Sequence, residues 1–147
     1  MKAADIMSTN LVTIDSLATV EAAARLMKQH RVKALIVNRT SPDDAYGIIT
    51  QTDISQLLAE SKDPKKTYVY EIMTKPCIVV NPDLAVEHIA KLFTKAKIRV
   101  APVIRDKLLG IVSLSDILTS TTNQTTEEIE EWTLEEDRTV YENWCSG

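Results

Sequence analysis

Glycine is scarce in this chain, and its scarcity excludes two common kinds of phosphate site. Among 147 residues only Gly47, Gly110 and Gly147 are glycine. The P-loop and the dinucleotide-binding turn both need several glycines close together, because their backbone must approach the phosphates of the nucleotide. Neither kind of loop is encoded here.

Cysteine and histidine are equally few, with two of each. Cys77 and Cys145 lack any metal-ligand spacing, which favours free thiols in a reducing compartment; the alternative is a disulfide between them. His30 and His88 lack convergent partners for a metal cluster or for an activated nucleophile. We therefore expect no metal site, no cofactor and no catalysis, and we expect His88 on a helix surface.

Long apolar runs are also missing. No stretch approaches the roughly 18 apolar residues of a membrane span, and no apolar run follows Lys2 as it would in an export signal. These absences predict a cytoplasmic protein that does not enter a membrane. The net charge of −4 argues against nucleic-acid binding, which needs a basic surface.

The charge is distributed unevenly along the chain. Residues 1–120 carry a net charge of +3, whereas residues 121–147 carry −7 and contain one basic residue, Arg138. The uncharged polar segment from Thr119 to Thr126 predicts a linker into an acidic tail.

The acidic tail contains both tryptophans of the chain, Trp132 and Trp144. Ile129 and Trp132 fit one side of a helix, and large aromatics outside a core are favoured interface anchors. We expect the tail to dock on a basic cleft formed by residues 1–120, on another copy of the chain in a dimer or on a separate protein. The alternative is an extra helix that packs as part of the fold.

The rest of the chain contains nearly the same pattern twice. Segment 5–8, Asp-Ile-Met-Ser, returns at 71–74 as Glu-Ile-Met-Thr, and segment 47–54 returns at 110–117. The offset falls from 66 to 63 residues, so the first repeat has a longer loop between Asn38 and Tyr46. Duplication of a unit of about 60 residues predicts two supersecondary units that pack with pseudo-twofold symmetry and leave clefts between them.

Both repeats predict the same order of elements. Apolar residues at i, i+3, i+4 and i+7 indicate a core helix in each: Val20, Ala23, Ala24 and Met27, then Val86, Ile89, Ala90 and Phe93. Apolar runs rich in branched residues predict two strands after each helix. A second helix is expected to begin at Asp53 and, in the other repeat, at Asp116. The fold class is therefore α/β (α+β), with the order helix, strand, helix, strand, strand, helix used twice.

These motifs in this order resemble the CBS domain, the module named after cystathionine beta-synthase. The motifs are Ile-Met, Val-Thr-Ile, Val-Glu-Ala-Ala, His-Arg-Val, Gly-Ile-Ile-Thr and Thr-Asp-Ile. The resemblance divides the chain into repeats 1–62 and 63–120, followed by the tail 121–147. It implies a stand-alone CBS pair, or Bateman module, whose clefts commonly bind AMP, ADP, ATP or S-adenosylmethionine. It also implies a homodimer.

Duplicated polar residues fit the ribose and phosphate of such a ligand. A carboxylate accepts two hydroxyl protons at once, and in CBS proteins the aspartate matching Asp53 and Asp116 holds ribose. Hydroxyls just before a helix N-terminus lie where free amides favour phosphate; they are those of Thr50, Thr52, Ser113 and Ser115. Ordinary helix capping would explain the same residues without a ligand.

Two basic positions are duplicated as well. Arg31 and Lys33 correspond to Lys97 and Arg99, and in similar proteins these positions face the phosphates. The alternative is that they complement the dipole at a helix C-terminus. Apolar strand residues could form a slot that holds the base, although plain core residues would have the same identities. The candidates are Val12, Ile36, Val37, Val80, Pro102 and Val103.

The two repeats differ where clefts would form. Pro102 stands where the first repeat has Ile36, and Leu114 where it has Gln51, so one cleft can bind ligand while the other stays empty. The sequence thus predicts a regulatory module that senses adenine nucleotides or S-adenosylmethionine and signals by conformational change. The alternative is an adaptor that binds no ligand and recruits a protein through its tail. The sequence leaves open the ligand, the number of occupied clefts, the dimer geometry and the regulated target.

Overall fold

A computed structural model describes residues 1–122 of the chain. In chain order its elements are α1 (Ala3–Ile6), β1 (Thr13–Ile14), α2 (Val20–His30), β2 (Ala34–Val37), β3 (Gly47–Thr50), α3 (Gln51–Ala59), α4 (Val69–Ile72), α5 (Val86–Ala96), β4 (Val100–Arg105), β5 (Lys107–Ser113) and α6 (Leu114–Thr122). The predicted mixed fold and its order of helices are confirmed. Within residues 1–122 no helix is long and apolar enough to cross a bilayer.

The described residues form two compact units that regroup the sequence repeats. The first-repeat unit is Thr9–Val79, so it holds α4 from the start of the second repeat. The second-repeat unit is Met1–Ser8 together with Val80 and the described residues beyond it, so it holds α1. Each short helix therefore packs in the unit formed mainly by the other repeat.

Each unit has its own sheet and its own core. In the first-repeat unit β1 pairs in parallel with β2, and β2 pairs in antiparallel with β3. In the second-repeat unit β4 and β5 form an antiparallel pair. The predicted helix stripes are confirmed, because six of their eight residues are buried and the remaining two, Ala24 and Ala90, are half-buried. Burial of a large side chain such as Phe93 contributes about 1.5–3 kcal/mol.

The first strand expected in the second repeat is reduced to one parallel bridge between Val80 and Val103. In the first-repeat unit the Ile36 amide donates to the Val12 carbonyl at 3.1 Å, which helps to hold β1. Pro102 occupies the position of Ile36 in the second repeat and has no N–H to donate. The prediction of a strand in both repeats was therefore wrong for the second.

Helix starts also differ from the prediction. α3 begins at Gln51 and α6 at Leu114, so Asp53 and Asp116 are the third residues of their helices rather than the first.

The predicted linker from Thr119 is wrong over its first four residues, because α6 continues to Thr122. Hydroxyls in this last turn donate to main-chain carbonyls within the helix, as Ser and Thr do when their side chains bond one turn back. The bonds are Thr119 to Ser115 at 2.9 Å, Ser120 to Ile117 at 2.7 Å, Thr121 to Ile117 at 3.1 Å and Thr122 to Leu118 at 2.9 Å. Residues 123–147, with the acidic tail and Cys145, lie outside the described residues.

The longer loop of the first repeat is held by a carboxylate. Asp44 Oδ2 accepts from Lys75 Nζ at 2.8 Å and from the amide and hydroxyl of Thr40 at 3.0 Å each. The hydrogen bond from Lys75, followed by those from Thr40, holds the pKa of Asp44 well below its ordinary value. The loop is thereby tied to the segment that follows α4.

Candidate functional site

Each unit has the same hydrogen-bonded motif where a helix follows the β-hairpin. In the first-repeat unit Asp53 Oδ2 accepts from the Thr50 amide at 2.8 Å and from the Thr50 hydroxyl at 3.0 Å. The Thr50 hydroxyl in turn accepts from the Asp53 amide at 3.3 Å. Asp116 and Ser113 make the same three bonds, at 2.8, 3.0 and 3.3 Å. These are reciprocal capping boxes, so the capping explanation is correct for all four residues.

Capping uses only one oxygen of each carboxylate. Within residues 1–122 Oδ1 of Asp53 and Oδ1 of Asp116 have no hydrogen-bond partner, although both side chains are half-buried. Such an oxygen has two lone pairs that can accept hydroxyl protons from a ligand. Capping and ligand binding are therefore compatible functions of the same side chain.

The carboxylate of Asp116 lies in partly desolvated surroundings. Burial raises the pKa of Asp116, and hydrogen bonds from Ser113 oppose that rise. A polar contact made where water is partly excluded is electrostatically stronger than the same contact in water. A ligand hydroxyl that reached Oδ1 of Asp116 would therefore bond more strongly there than in water.

Strand pairing brings one basic residue of each repeat to its capping box. The Lys33 carbonyl accepts from the Gln51 amide at 3.1 Å, and the Arg99 carbonyl accepts from the Leu114 amide at 2.8 Å. Gln51 and Leu114 directly follow the capping hydroxyl residues, so the main chain of each basic residue lies at the start of a helix. Both basic residues are exposed.

The other two basic candidates terminate the core helices. Arg31 has φ 55° and Lys97 has φ 56°, and their amides donate to the carbonyls of Met27 and Phe93. Both are exposed residues in the left-handed conformation that commonly ends helices. Their position at a helix C-terminus agrees with the dipole explanation, and a phosphate contact at either stays a prediction.

The remaining candidates divide by burial. Thr52 is exposed in the first turn of α3, whereas Ser115 is half-buried in α6. Of the residues proposed for a base slot all but Val12 are buried: Ile36, Val37, Val80, Pro102 and Val103. This burial favours the core explanation for those five. His88 is exposed on α5, as predicted, and His30 is exposed at the end of α2.

Two features of the site could not be located from residue types. The main-chain carbonyls of Lys33 and Arg99 join strand to helix, and only the hairpin register reveals them.

Among residues 1–122 no three His, Cys, Asp or Glu side chains lie close enough together to hold a metal ion. Burial raises the pKa of the Cys77 thiol, which is half-buried.

Each unit thus has a β-hairpin followed by a helix with a capping carboxylate. These duplicated features place the chain in the class of tandem-repeat α/β modules. The family model for the CBS domain matches residues 3–60 and again residues 69–121. The chain therefore belongs to the CBS domain family, and the resemblance inferred from its motifs is confirmed.

Curated relatives share most of the described part of the chain. The chain is 35% identical over 117 residues to "CBS domain-containing protein CBSX3, mitochondrial" of Arabidopsis thaliana, a match that covers 76% of this chain and 57% of that protein. It is 33% identical over 115 residues to CBS domain-containing protein YhcV of Bacillus subtilis, covering 77% and 80% respectively. The chain thus spans little more than half of the Arabidopsis relative.

Solved structures show the same fold. A hexameric CBS-CP12 protein from bloom-forming cyanobacteria superposes with a TM-score of 0.79 at 45% identity, covering 95% of this chain and 86% of that chain. The CBS domain pair of protein MJ0100, in complex with 5′-methylthioadenosine and S-adenosylmethionine, superposes with a TM-score of 0.73 at 29% identity, covering 85% and 98%.

Proposed function

We propose that this chain is a regulatory module that binds adenosine compounds through Asp53 and Asp116 and signals their binding by a change of conformation. The observation that carries the proposal is the duplicated capping box in which each carboxylate keeps Oδ1 open toward the part of the chain that the structure describes, residues 1–122. A helix cap alone requires one carboxylate oxygen, and the second is left to accept hydroxyl protons.

The chemistry of the open oxygen suits a ribose. The two hydroxyls of a ribose are donors that a carboxylate can accept together, and hydrogen bonds to a charged acceptor contribute about 1.5–3 kcal/mol. Both compounds in the MJ0100 complex, 5′-methylthioadenosine and S-adenosylmethionine, contain adenosine. This relative supports adenosine as the part of the ligand that this chain recognises.

The basic residues bear on which adenosine compound is bound. Lys33 and Arg99 lie beside the capping boxes and would favour a phosphate-bearing ligand such as AMP, ADP or ATP. 5′-Methylthioadenosine has no phosphate, so its binding would not depend on these cations. Whether the ligand carries a phosphate can therefore be tested by neutralising Lys33 and Arg99, because only a phosphate-bearing ligand should then bind more weakly.

The two sites are proposed to bind unequally. Pro102 removes one strand from the second-repeat unit, and Asp116 lies in surroundings that raise its pKa. We expect the loss of affinity on neutralising Asp116 to differ from the loss on neutralising Asp53.

Calorimetric titration of the full chain tests the proposal. Asp53→Asn and Asp116→Asn keep a side-chain oxygen that can cap the helix but present an amide where the ligand would meet Oδ1. At least one of them should bind AMP, ADP, ATP, S-adenosylmethionine or 5′-methylthioadenosine about tenfold more weakly or worse, as the loss of a charge-assisted bond predicts. Asp106→Asn is the matched control, because Asp106 has φ 60° and Asn tolerates that conformation.

A ligand-side control separates ribose recognition from folding. The 2′,3′-dideoxy analogue of the best ligand should bind weakly to the unmodified chain and lose no further affinity in the Asn variant. Equal binding of the ribose and dideoxy forms would contradict a role for these carboxylates. Absence of binding by all five compounds would favour the adaptor alternative.

Ligand binding can supply the energy for a signal. At a hundredfold excess over Kd a ligand stabilises the bound state by about 2.7 kcal/mol, enough to shift a conformational equilibrium. The signal would pass through a protein partner or through rearrangement of a homodimer. A non-catalytic role and a cytoplasmic location remain part of the proposal and rest on the sequence alone.

A further inference from the structure

Each unit packs a methionine sulfur into the space beside a hairpin glycine. A Cβ built on Gly47 would lie 2.9 Å from Met73 Sδ, and one built on Gly110 would lie 2.7 Å from Met7 Sδ. Ordinary contacts of a Cβ begin at 3.4 Å, so each thioether occupies room that a side chain would need. Both glycines have negative φ, so close approach rather than backbone conformation explains them.

These sulfurs lie next to two reciprocal pairs of main-chain hydrogen bonds. Ser8, which follows Met7, exchanges bonds of 2.8 and 2.9 Å with Ile111. Thr74, which follows Met73, exchanges bonds of 2.9 and 3.0 Å with Ile48. The pairs hold the segments after α1 and α4 against β5 and β3.

We propose that Met7 and Met73 form a duplicated oxidation site for hydrogen peroxide. Both residues are half-buried, so part of each side chain is open to solvent although their sulfurs are closely packed. The Sδ lone pair attacks one peroxide oxygen, an S–O bond forms and the O–O bond breaks. The sulfur loses two electrons, and the leaving hydroxide takes the proton of the newly formed S–OH group and departs as water, leaving methionine sulfoxide.

The packing makes the sulfoxide a poor fit. Its oxygen is a strong acceptor, whereas the nearest groups include the glycine and a main-chain carbonyl oxygen. A Cβ on Gly110 would lie 2.7 Å from the Ser8 carbonyl, and one on Gly47 would lie 3.4 Å from the Thr74 carbonyl. A sulfoxide that keeps this packing therefore displaces the segments after α1 and α4 and weakens their pairing with Ile111 and Ile48. The effect is larger at Met7, where the main chain lies closer to the glycine.

The four methionines of the chain supply internal controls. Met1 is 67% exposed, so it should oxidise first without changing the exchange of the paired amides. Met27 is 4% exposed in the first-repeat core and should oxidise last. Met7 and Met73 should oxidise between them.

Peroxide treatment of the full chain, followed by peptide mass spectrometry and amide hydrogen exchange, tests the site. We expect sulfoxide at Met7 and Met73 to appear together with at least tenfold faster exchange at Ser8, Ile48, Thr74 and Ile111. Methionine sulfoxide reductases should restore slow exchange. Complete oxidation of both residues with unchanged exchange would overturn the proposal.

A second variant keeps the test independent of folding and of thiol chemistry. Met7→Leu/Met73→Leu conserves volume and removes the oxidisable sulfurs. Its Tm should stay unchanged at the peroxide dose that lowers the Tm of the unmodified chain by several degrees. The variant retains Cys77, Cys145, Met1 and Met27, so an equal fall in its Tm would assign the effect to the thiols or to the remaining methionines and overturn the proposal.

Oxidation should also reach the proposed ligand sites, a consequence that rests on the proposed function. Gly47 and Gly110 lie three residues before Thr50 and Ser113 on the same strands. Weaker adenosine binding after oxidation would extend the inference, whereas the exchange and Tm measurements need no ligand. Failure of the ligand proposal is therefore distinguishable from failure of the oxidation site.

Discussion

At the scale of single residues, aspartates of this chain have distinct roles that depend on their partners. Asp53 and Asp116 cap helices, and each keeps one oxygen without a hydrogen-bond partner among the described residues. Asp44 instead uses Oδ2 for three hydrogen bonds, one of them from Lys75 Nζ. Asp83 pairs with Arg105. The same residue type is thus a binding candidate in one place and a loop anchor in another.

Asp44 should make stability fall in acid. Its pKa is lower in the folded chain than the ordinary value of 3.8, so the unfolded chain binds more protons as the pH falls below about 4. The stability that Asp44 contributes is present above that range and is lost below it, whereas Asp116, with a raised pKa, acts in the opposite direction. Urea unfolding midpoints of Asp44→Asn at pH 7 and at successively lower pH should show a flatter decline than the unmodified chain.

Asp43→Asn is the matched control for this pH test, because Asp43 is the exposed neighbour of Asp44. Its midpoint should follow that of the unmodified chain at every pH. Parallel decline of Asp44→Asn and the unmodified chain would show that the ion pair with Lys75 has no part in acid sensitivity.

Replacing Arg31 or Lys97 by glycine should make the folded chain more stable. A non-glycine residue in the left-handed conformation costs about 1–2 kcal/mol, which exceeds the entropic cost of placing glycine in the chain. Arg31→Gly and Lys97→Gly should therefore each stabilise the chain by up to about 1 kcal/mol in urea unfolding. Lys28→Gly, within α2, should instead destabilise by about 1 kcal/mol.

The same substitutions separate stability from the proposed phosphate contact. If Arg31 and Lys97 face phosphate, the stabilised glycine variants should bind AMP more weakly and 5′-methylthioadenosine as before. Unchanged AMP affinity would leave helix termination as the function of both residues.

At the scale of elements, the two repeats keep their capped helices but differ in the contacts of their strands. Gly47 in β3 and Gly110 in β5 correspond in sequence, yet their neighbours are not equally movable. Near Gly47 the one contact under 3.0 Å would be the flexible Met73 sulfur, whereas near Gly110 the Ser8 carbonyl lies equally close. Main chain yields less easily than the end of a side chain.

Alanine substitution should therefore be unequal at the two glycines. Gly110→Ala should destabilise by about 1–3 kcal/mol, the usual cost of overpacking, because the Ser8 segment must move. Gly47→Ala should cost less, because Met73 can change rotamer. Urea unfolding of both variants measures the difference, and equal losses would contradict the stated reason.

At the scale of the whole molecule, the folding units differ from the sequence repeats. Ala3 of α1 and Val69 of α4 are fully buried, each in the core of the unit that the other repeat mainly forms. The boundaries at residues 62 and 120 therefore describe the repeat in the sequence. That they are also the limits of domains stays a prediction.

Val69→Ala should destabilise the first-repeat unit, although residue 69 belongs to the second sequence repeat. The loss of two buried methyl groups should cost about 1–3 kcal/mol. Hydrogen exchange should speed up at Ile36 and Ile49 and stay slow at Val103 and Val112. Ile89→Ala, in the second-repeat core, should give the reverse pattern, and faster exchange at Val112 in Val69→Ala would contradict the assignment.

The association state is the second prediction at this scale. We expect light scattering of the purified chain to give twice the mass of one chain, in agreement with the homodimer that the resemblance implies. A sixfold mass would instead match the hexameric cyanobacterial relative. A monomer at every concentration would remove dimer rearrangement as the route of the signal.

Much of the fold was predictable because its signals are local. The spacing of Val20, Ala23 and Met27 sets a helix face, and the same spacing recurs at Val86, Ile89 and Phe93. Motifs containing Thr50 and Asp53 could be named as candidates because capping and hydroxyl recognition use the same residue types. Roles were also predicted for the acidic tail, but its residues from 123 onward lie outside those that the structure describes.

By itself, then, the sequence determined the duplication, the order of helices, the apolar stripes and the polar pairs at the helix starts, since each depends on neighbours within a few residues. The tertiary structure alone decided that Pro102 leaves only a bridge at Val80 and that Lys33 and Arg99 meet the capping boxes. It also decided that α1 and α4 pack with the other repeat. Hydrogen bonds and burial between distant segments set these features, and no local pattern encodes such pairings.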